Sequence, residues 1–582
     1  MNIVFTLTSI LIFVFSFLPL QLYAAANTYY VTQNGKGARS GASIENAMAV
    51  SDFNALSGTG YAGDTFYFSG SFTTRIVISS IEGTSGNPLT LDGYEAGDCD
   101  PINSVCTSSA VLQHGIDIGN GRAGPDHINI QDFRMTLQSG TAPCFSIYTY
   151  QGGNDDQKHS DYLTIRRNYI HETNGTMFYY YQGRYSTVQN NKFTHFGQNG
   201  TNATQGINLV NLDDFILKEN EIGHDESSYP SGCISAEMIE LHGCYRVLIE
   251  SNDIYGAPNQ SGIRPKENGR GQMEDIVIRY NKIHDNIGNS TAPGAERAGK
   301  GVYALTRDNQ SISNIYIYGN LIYNNTVANV MAGTGVDGFY VWSNILIGSG
   351  RNGVVVYTKT GQTAPANVYV YNNTIARNGT LGETDNDRCG FTATAGTNIN
   401  VRNNIFWNNR PKGEGSKYNQ IYSSITLSSL EHNTLYHSLS NPNYYYDGAF
   451  RTLDGILGAY NFEKVAPAGV IEDSGFKDPD GADNTHNTAD DDYTLNGRYI
   501  NNGADLSQCF DVSIQGKNHH MCYDDALDPN ATNWKTTPPI VRTTKQGDHG
   551  AWERGAYVYS TGIRSTSTSP PSGLKIKNFK AE

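Results

Sequence analysis

The sequence predicts an all-β chain folded as a right-handed parallel β-helix, and three observations carry that prediction. A short β-branched strand followed by Asn, any residue and an apolar residue recurs down the chain. The spacing of its copies is irregular but stays within one coil's length. The composition, with 62 Gly, 38 Tyr and only 17% charged residues, suits a turn-rich solenoid.

The copies read TIRRNYI, STVQNNKF, FILKENEI, VLIESNDI, IVIRYNKI, IYIYGNLI, VYVYNNTI and INVRNNIF, with FYVWSNIL and LEHNTLY as looser ones. Their asparagines are Asn168, Asn191, Asn220, Asn252, Asn281, Asn320, Asn344, Asn373, Asn404 and Asn433, and successive differences are 23, 29, 32, 29, 39, 24, 29, 31 and 29 residues. Periods of this length built from strands mark a solenoid whose repeats bury their core against neighbours. No 3.6-residue apolar period persists, which excludes helical repeats, and propeller blades are longer and more regular. The asparagine suits a tight turn because it tolerates left-handed backbone geometry and bonds nearby backbone. Stacked coils would align these residues as a ladder.

Residues 1–25 read as a signal peptide, an apolar run closing on Ala24–Ala26, with a membrane anchor as the competing reading. Coils are expected over 26–460, opening with YYVTQNGKGARSGAS and GTSGNPLTLDGY. Residues 461–560 read as final coils and loops, and 561–582 as a flexible tail. The acidic loop with Asp478, Asp480, Asp483, Asp490, Asp491 and Asp492 is a candidate calcium site or a solvated loop. The expected location is outside the cytoplasm, secreted or periplasmic, with no membrane contact after cleavage and a monomeric state.

A net charge of −15 excludes nucleic acid as a partner. Eight cysteines in an exported chain permit disulfides; Cys99/Cys106, Cys233/Cys244 and Cys509/Cys522 are close in sequence, which leaves Cys144 and Cys389 over. No zinc spacing, GxSxG or phosphate loop is present.

Between markers lies one further strand per coil: Phe145–Tyr148, Met177–Tyr180, Ile207–Val210, Ile239–His242, Ile263–Lys266, Val302–Leu305 and Val354–Tyr357. If Ile239 and Leu241 face inward, alternation turns Glu240 and His242 outward. The next coils then present Arg264 and Lys266, followed by Tyr303, with Arg307 just past the strand. Tyr357 and Lys359 lie further along, and Tyr148 and Tyr180 on the other side. Parallel strands sit about 4.8 Å apart, so these residues share one polar patch with aromatic flanks suited to sugar rings. A bland salt-bridge ladder is the alternative for any single member. A slip of one residue would bury the polar groups at high cost.

Such a patch fits β-elimination of a uronic-acid polymer, the acidic polysaccharide expected as partner. A base removes the C5 proton, cations or calcium offset the carboxylate, and an acid protonates the departing O4. Lys266 is the candidate base, since neighbouring Arg264 disfavours its charged form. Arg264 or Arg307 would clamp the carboxylate. Tyr303 or His242 would serve as acid, with Arg307 the other candidate. Arg264, Tyr148, Tyr180, Tyr357 and Lys359 are the candidate substrate contacts.

The segment AEMIELHG, 236–243, resembles the short E-x-I-R-x-G strand of the chondroitinase B and alginate lyase family of polysaccharide lyases, within the pectate-lyase-like β-helix class. The resemblance implies a lysine base downstream, an arginine after it and calcium at the carboxylate; Lys266 and Arg307 follow that order. The chain departs from the family in carrying Glu240 where the motif has Arg, and Gly262 and Arg264 in place of paired acidic residues. Asp213, Asp214, Glu237 and Glu240 are the candidate calcium ligands.

Three other classes use the same fold. A glycoside hydrolase needs two carboxyl groups about 5–5.5 Å apart for retention or about 6.5–9.5 Å apart for inversion, and Glu240 with Glu237, Asp213, Asp214 or Asp225 could supply such a pair. A C5-epimerase abstracts the same proton, but the D-P-H-D-type motif is missing. A non-catalytic glycan binder needs only the aromatic and basic face.

Overall fold

The computed structural model describes residues 26–558 apart from 59, 94–109, 120–123, 137–144, 149–158, 174, 197–204, 225–236, 259, 268, 270–272, 288–298, 307–309, 381–388, 410–419, 438–444, 448, 452–475, 480–491, 496–502, 547–551 and 553. Each full coil contributes three short strands. In the coil around Asn252 they are Ile239–His242, Tyr245–Glu250 and Asp253–Tyr255. Each pairs in parallel with its counterpart in the next coil. Three sheets therefore run the length of a right-handed parallel β-helix.

Side chains alternate as the pleat requires. The inward column of the first sheet is Ile207, Ile239, Ile263, Val302, Val330, Val354 and Phe391, all buried. Branched residues dominate because they fill a pleated, half-buried surface well.

The asparagine ladder forms. From Asn168 to Asn433, each side-chain amide donates to the amide oxygen of the next coil's asparagine at 2.9–3.1 Å. Asn281 shows the full pattern: its Nδ2 also bonds the carbonyls of Ile249 and Arg279, both at 2.9 Å, and its backbone N–H reaches Asn320 Oδ1 at 2.9 Å. The left-handed residue is not the asparagine itself but the one before it. Arg167, Asn190, Glu219, Ser251, Tyr280, Gly319, Ser343, Asn372, Asn403 and His432 take φ of 53–62°. That residue turns the chain from the second sheet to the third and leaves the asparagine pointing inward, where only another coil can satisfy it.

A second ladder runs from Asn286 to Asn325 at 2.7 Å, to Asn329 at 2.9 Å, to Asn378 at 3.0 Å, to Asn409 at 2.9 Å and to Gln420 at 2.6 Å. The sequence hides it, because Asn329 and Gln420 break the spacing.

The C-terminal region corrects the expectation of final coils. Where described, its strands pair antiparallel, with one isolated parallel bridge between Leu527 and Tyr557, and it folds back over the outside of the solenoid. The hairpin Cys509–Ile514/Lys517–Cys522 is closed by the Cys509–Cys522 disulfide. It packs Val512, Ile514, Met521 and Tyr523 on Val277, Tyr318 and Trp342 of the second sheet. Leu527, Trp534, Ala556 and Tyr557 cover Leu321, Ile345, Ile405 and Trp407 of the third. Those solenoid residues point outward and are apolar, so they need a cover, and this strap supplies it.

The suggested Cys233/Cys244 pair does not form. Cys244 carries a free thiol, buried and directed at the carbonyls of Leu209 and His242. Residues 1–25, Cys99, Cys106 and most of the acidic loop lie outside the described residues. No helix among the described residues is long and apolar enough to cross a membrane.

Candidate active site on the first sheet

From the Ile207 row through the Ile239, Ile263 and Val302 rows, the register inferred from alternation is the one observed. Asn208 stands beside Glu240 and Val210 beside His242, and Glu240 in turn stands beside Arg264. The next strand sets Val302 opposite Ile263 and Leu305 opposite Lys266, which brings Tyr303 next to Arg264. Glu240, His242, Arg264, Lys266 and Tyr303, from three successive coils, thus meet on one outward face.

Glu240 is the hub. Lys266 Nζ donates to its Oε1 at 2.9 Å, and Gln205 Nε2 to its Oε2 at 3.0 Å. His242 Nε2 lies 3.2 Å from the same Oε2, while His242 Nδ1 is 3.0 Å from the Lys266 carbonyl. Both ring nitrogens thus face oxygens of neighbouring groups. Burial opposes charge on Glu240, but the His242 bond and the charges of His242, Lys266 and Arg264 outweigh it and hold the carboxyl down to about 2. Glu237 goes the other way: burial and the Glu240 charge push it up, against its ion pair with Arg264.

Arg264 is not placed to clamp a substrate. It is 3% exposed and bonds Glu237 and, at 2.5 Å, Gln260. The two buried glutamates explain this, since a carboxylate without a cation would be costly there. Its guanidinium also lies over the Tyr303 ring, 5.6 Å from the centroid, and Lys300 Nζ lies 4.9 Å from the same ring. The Tyr303 hydroxyl hydrogen-bonds that of Tyr357, which is half-buried at the end of its strand. Lys266 is more exposed than its partners, its side chain at 13% against 3% for Glu240. Arg264 is therefore not the only charge beside Lys266, which is held in an ion pair by Glu240.

Tyr180 corrects the expectation for the flank. Phe178, not Met177, pairs with Ile207, so alternation runs one residue later and Tyr180 faces the core. It is fully buried, its hydroxyl donating to the Ser160 carbonyl at 2.5 Å and meeting Ser186 Oγ at 2.7 Å. The run Phe178–Tyr181 is aromatic throughout, so apolar alternation could not set its register. Tyr179 and Tyr181 take the outward places, in line with Asn208 and Val210, their rings 6.4 Å apart and nearly parallel. Tyr148 is in register with Tyr181, but its side chain and Arg307 lie outside the described residues. Lys359 is exposed beyond its strand, its backbone N–H bonded to Thr334.

The four candidate calcium ligands do not gather. Asp213 and Asp214 sit at the corner towards the second sheet, each 2.7 Å from Arg246, and Asp214 also takes the Gln515 N–H at 2.8 Å. Glu237 and Glu240 are met by Arg264, Lys266 and His242. Among the described residues these four contribute no group of three metal-ligand atoms. A divalent cation would stand against those side-chain cations, so the donor set does not fit calcium.

No family model matches the chain, and no curated protein matches it. Solved structures similar to it include the Azotobacter vinelandii mannuronan C-5 epimerase AlgE4 A-module, at 14% identity, 73% of this chain, 99% of that chain and a TM-score of 0.38. The catalytic unit of a GH87 alpha-1,3-glucanase from Streptomyces thermodiastaticus gives 14% identity, 72% and 71% coverage and 0.40. Pectate lyase Pel9A gives 15%, 83% and 92%, and 0.31. The fold assignment rests on the chain's own strand register.

Proposed function

We propose that this chain acts outside the cytoplasm, as a monomer, on an acidic polysaccharide, which it cleaves by β-elimination. The observation that carries the reading is the Glu240–Lys266–His242 cluster, with Arg264 and Tyr303 in the adjoining rows. Lys266 in its amine form is the base for the C5 proton, and Glu240 is the positioning residue that aims it. The cationic groups around it offset the charge developing on the uronate carboxylate. Tyr303 and His242 are the acid candidates on the described face, with Arg307 a third. Tyr179, Tyr181 and Tyr357 flank the row as candidate sugar contacts.

The test is ultraviolet absorbance on a panel of polyuronates, because elimination leaves a conjugated C4–C5 double bond. Absorbance that rises with one polymer and vanishes in Lys266→Ala supports the reading; no rise with any refutes it.

A second reading draws on two buried carboxyl groups on this face, Glu237 paired with Arg264 and Glu240 with Lys266, whose surroundings push Glu237 up and Glu240 down. Carboxyl groups driven apart in this way serve hydrolases as acid and base. Reducing ends without absorbance, lost in Glu237→Gln, would select that reading.

A further inference from the structure

Under the elimination reading, the departing O4 needs a proton, and the face offers two kinds of donor. His242 is engaged at both nitrogens, by Glu240 and by the Lys266 carbonyl. The tyrosine pair is arranged differently. Tyr303 is 2% exposed and cannot itself meet a polymer, whereas Tyr357 is half-buried and touches the Tyr303 hydroxyl with its own. Two cations, Lys300 at 4.9 Å and Arg264 at 5.6 Å, lie over the Tyr303 ring. A buried phenolate is costly alone, but cations beside it favour that charge. Such a surround is built to let Tyr303 give up a proton.

We infer that Tyr357 protonates the departing oxygen and takes its replacement proton from Tyr303, while Lys300 and Arg264 act as positioning residues that stabilise the Tyr303 phenolate. This rests on the elimination reading. In the step, the C5–H bond breaks towards the Lys266 amine and its electron pair forms the C4–C5 double bond. The C4–O4 bond breaks with its pair left on O4. O4 takes the Tyr357 hydroxyl proton, and the Tyr357 oxygen takes that of Tyr303. The site ends with a Lys266 ammonium and a Tyr303 phenolate, its proton count unchanged, and exchange with water resets both.

The test compares Tyr357→Phe, Lys300→Met and Lys300→Arg with the parent protein on two substrates: the responsive polyuronate, and a uronide bearing an aryl leaving group at O4 that needs no proton. Tyr357→Phe is expected to lower kcat on the polymer about 100-fold or more, the usual worth of an acid. KM should stay within about threefold, and the loss on the aryl substrate should be under about tenfold. Lys300→Met should lower polymer kcat about tenfold, and Lys300→Arg should restore most of it. Equal losses on both substrates, an unaffected Tyr357→Phe, or a Lys300→Met defect that Lys300→Arg fails to rescue would overturn the relay while leaving elimination standing. A parent protein that yields no unsaturated product from any polymer overturns the elimination reading, and the relay with it.

Discussion

Glu240 and Lys266 stand on adjacent coils and are joined at 2.9 Å, with His242 on the other carboxylate oxygen at 3.2 Å. One carboxylate thus holds the proposed base and the imidazole beside it, and its removal should be felt in turnover before binding. Glu240→Gln keeps the shape and loses the charge. It is expected to lower kcat about 10- to 100-fold with KM changed less, since misplacing a catalytic group by about 1 Å carries a penalty of that size. Steady-state kinetics on the responsive polymer check this; an unchanged kcat would deny Glu240 its positioning role.

Acid should expose the same carboxylate. Glu240 is held down to about 2 from 4.5, so its contribution to stability is present above 4.5 and is lost as pH falls towards 2. Glu237, raised, has the opposite sign: its contribution is lost as pH rises from 4.5 through its raised value. The melting temperature of the parent protein is expected to fall between about pH 4.5 and 2, and that of Glu240→Gln to fall less steeply. Parallel curves would contradict the assignment.

The ladder carries stability coil by coil. Asn281→Ala removes bonds to Asn320, Ile249 and Arg279 and leaves the Asn252 backbone N–H without its acceptor, all in buried surroundings. Unsatisfied buried groups of this kind cost about 1–3 kcal/mol each, so a loss of about 2–4 kcal/mol is expected. Denaturant unfolding measures it, and a loss below about 0.5 kcal/mol would show that the bonds are replaced.

The solenoid was legible because its signal is repeated: ten asparagines at coil spacing report one corner ten times. The Ile239–His242 row was legible because Ile and Leu alternate with Glu and His, leaving one tolerable register. The Tyr180 row was not, since aromatic residues fit either face. The place of Arg264 is not legible because sequence shows its charge but not the partners, Glu237 and Gln260, that hold it below the surface. Lys300 shows its charge in the sequence but not its place, 4.9 Å from the Tyr303 ring centroid. The strap resembles further coils in the sequence because apolar outward residues such as Trp407 and Leu321 cannot be told from core until the strand register is known.

One further buried cluster ties that strap down. His284 stacks between Tyr255 and Tyr323, with Nε2 2.9 Å from Asp253 and Nδ1 2.6 Å from Asp285. Lys282 also meets Asp253, at 3.1 Å, and Thr537 of the strap donates to it at 2.7 Å. Burial opposes charge on His284, but the two carboxylates raise it above 6.5. Its contribution is therefore complete below 6.5 and lost as pH rises through the raised value. Amide exchange over 531–540, corrected for intrinsic rates, is expected to quicken between about pH 6 and 9. Asp253→Asn should erase that difference; identical protection at both pH values would contradict it.

The measurement that bears most directly on the central claim is ultraviolet absorbance of the purified protein with a panel of polyuronates, with and without chelator. Absorbance that rises with one polymer, disappears in Lys266→Ala and is indifferent to chelator is the predicted result, because Arg264, Lys266 and His242 already meet the carboxylates a metal would need. Cleavage without absorbance, or a rise that Lys266→Ala preserves, would contradict it.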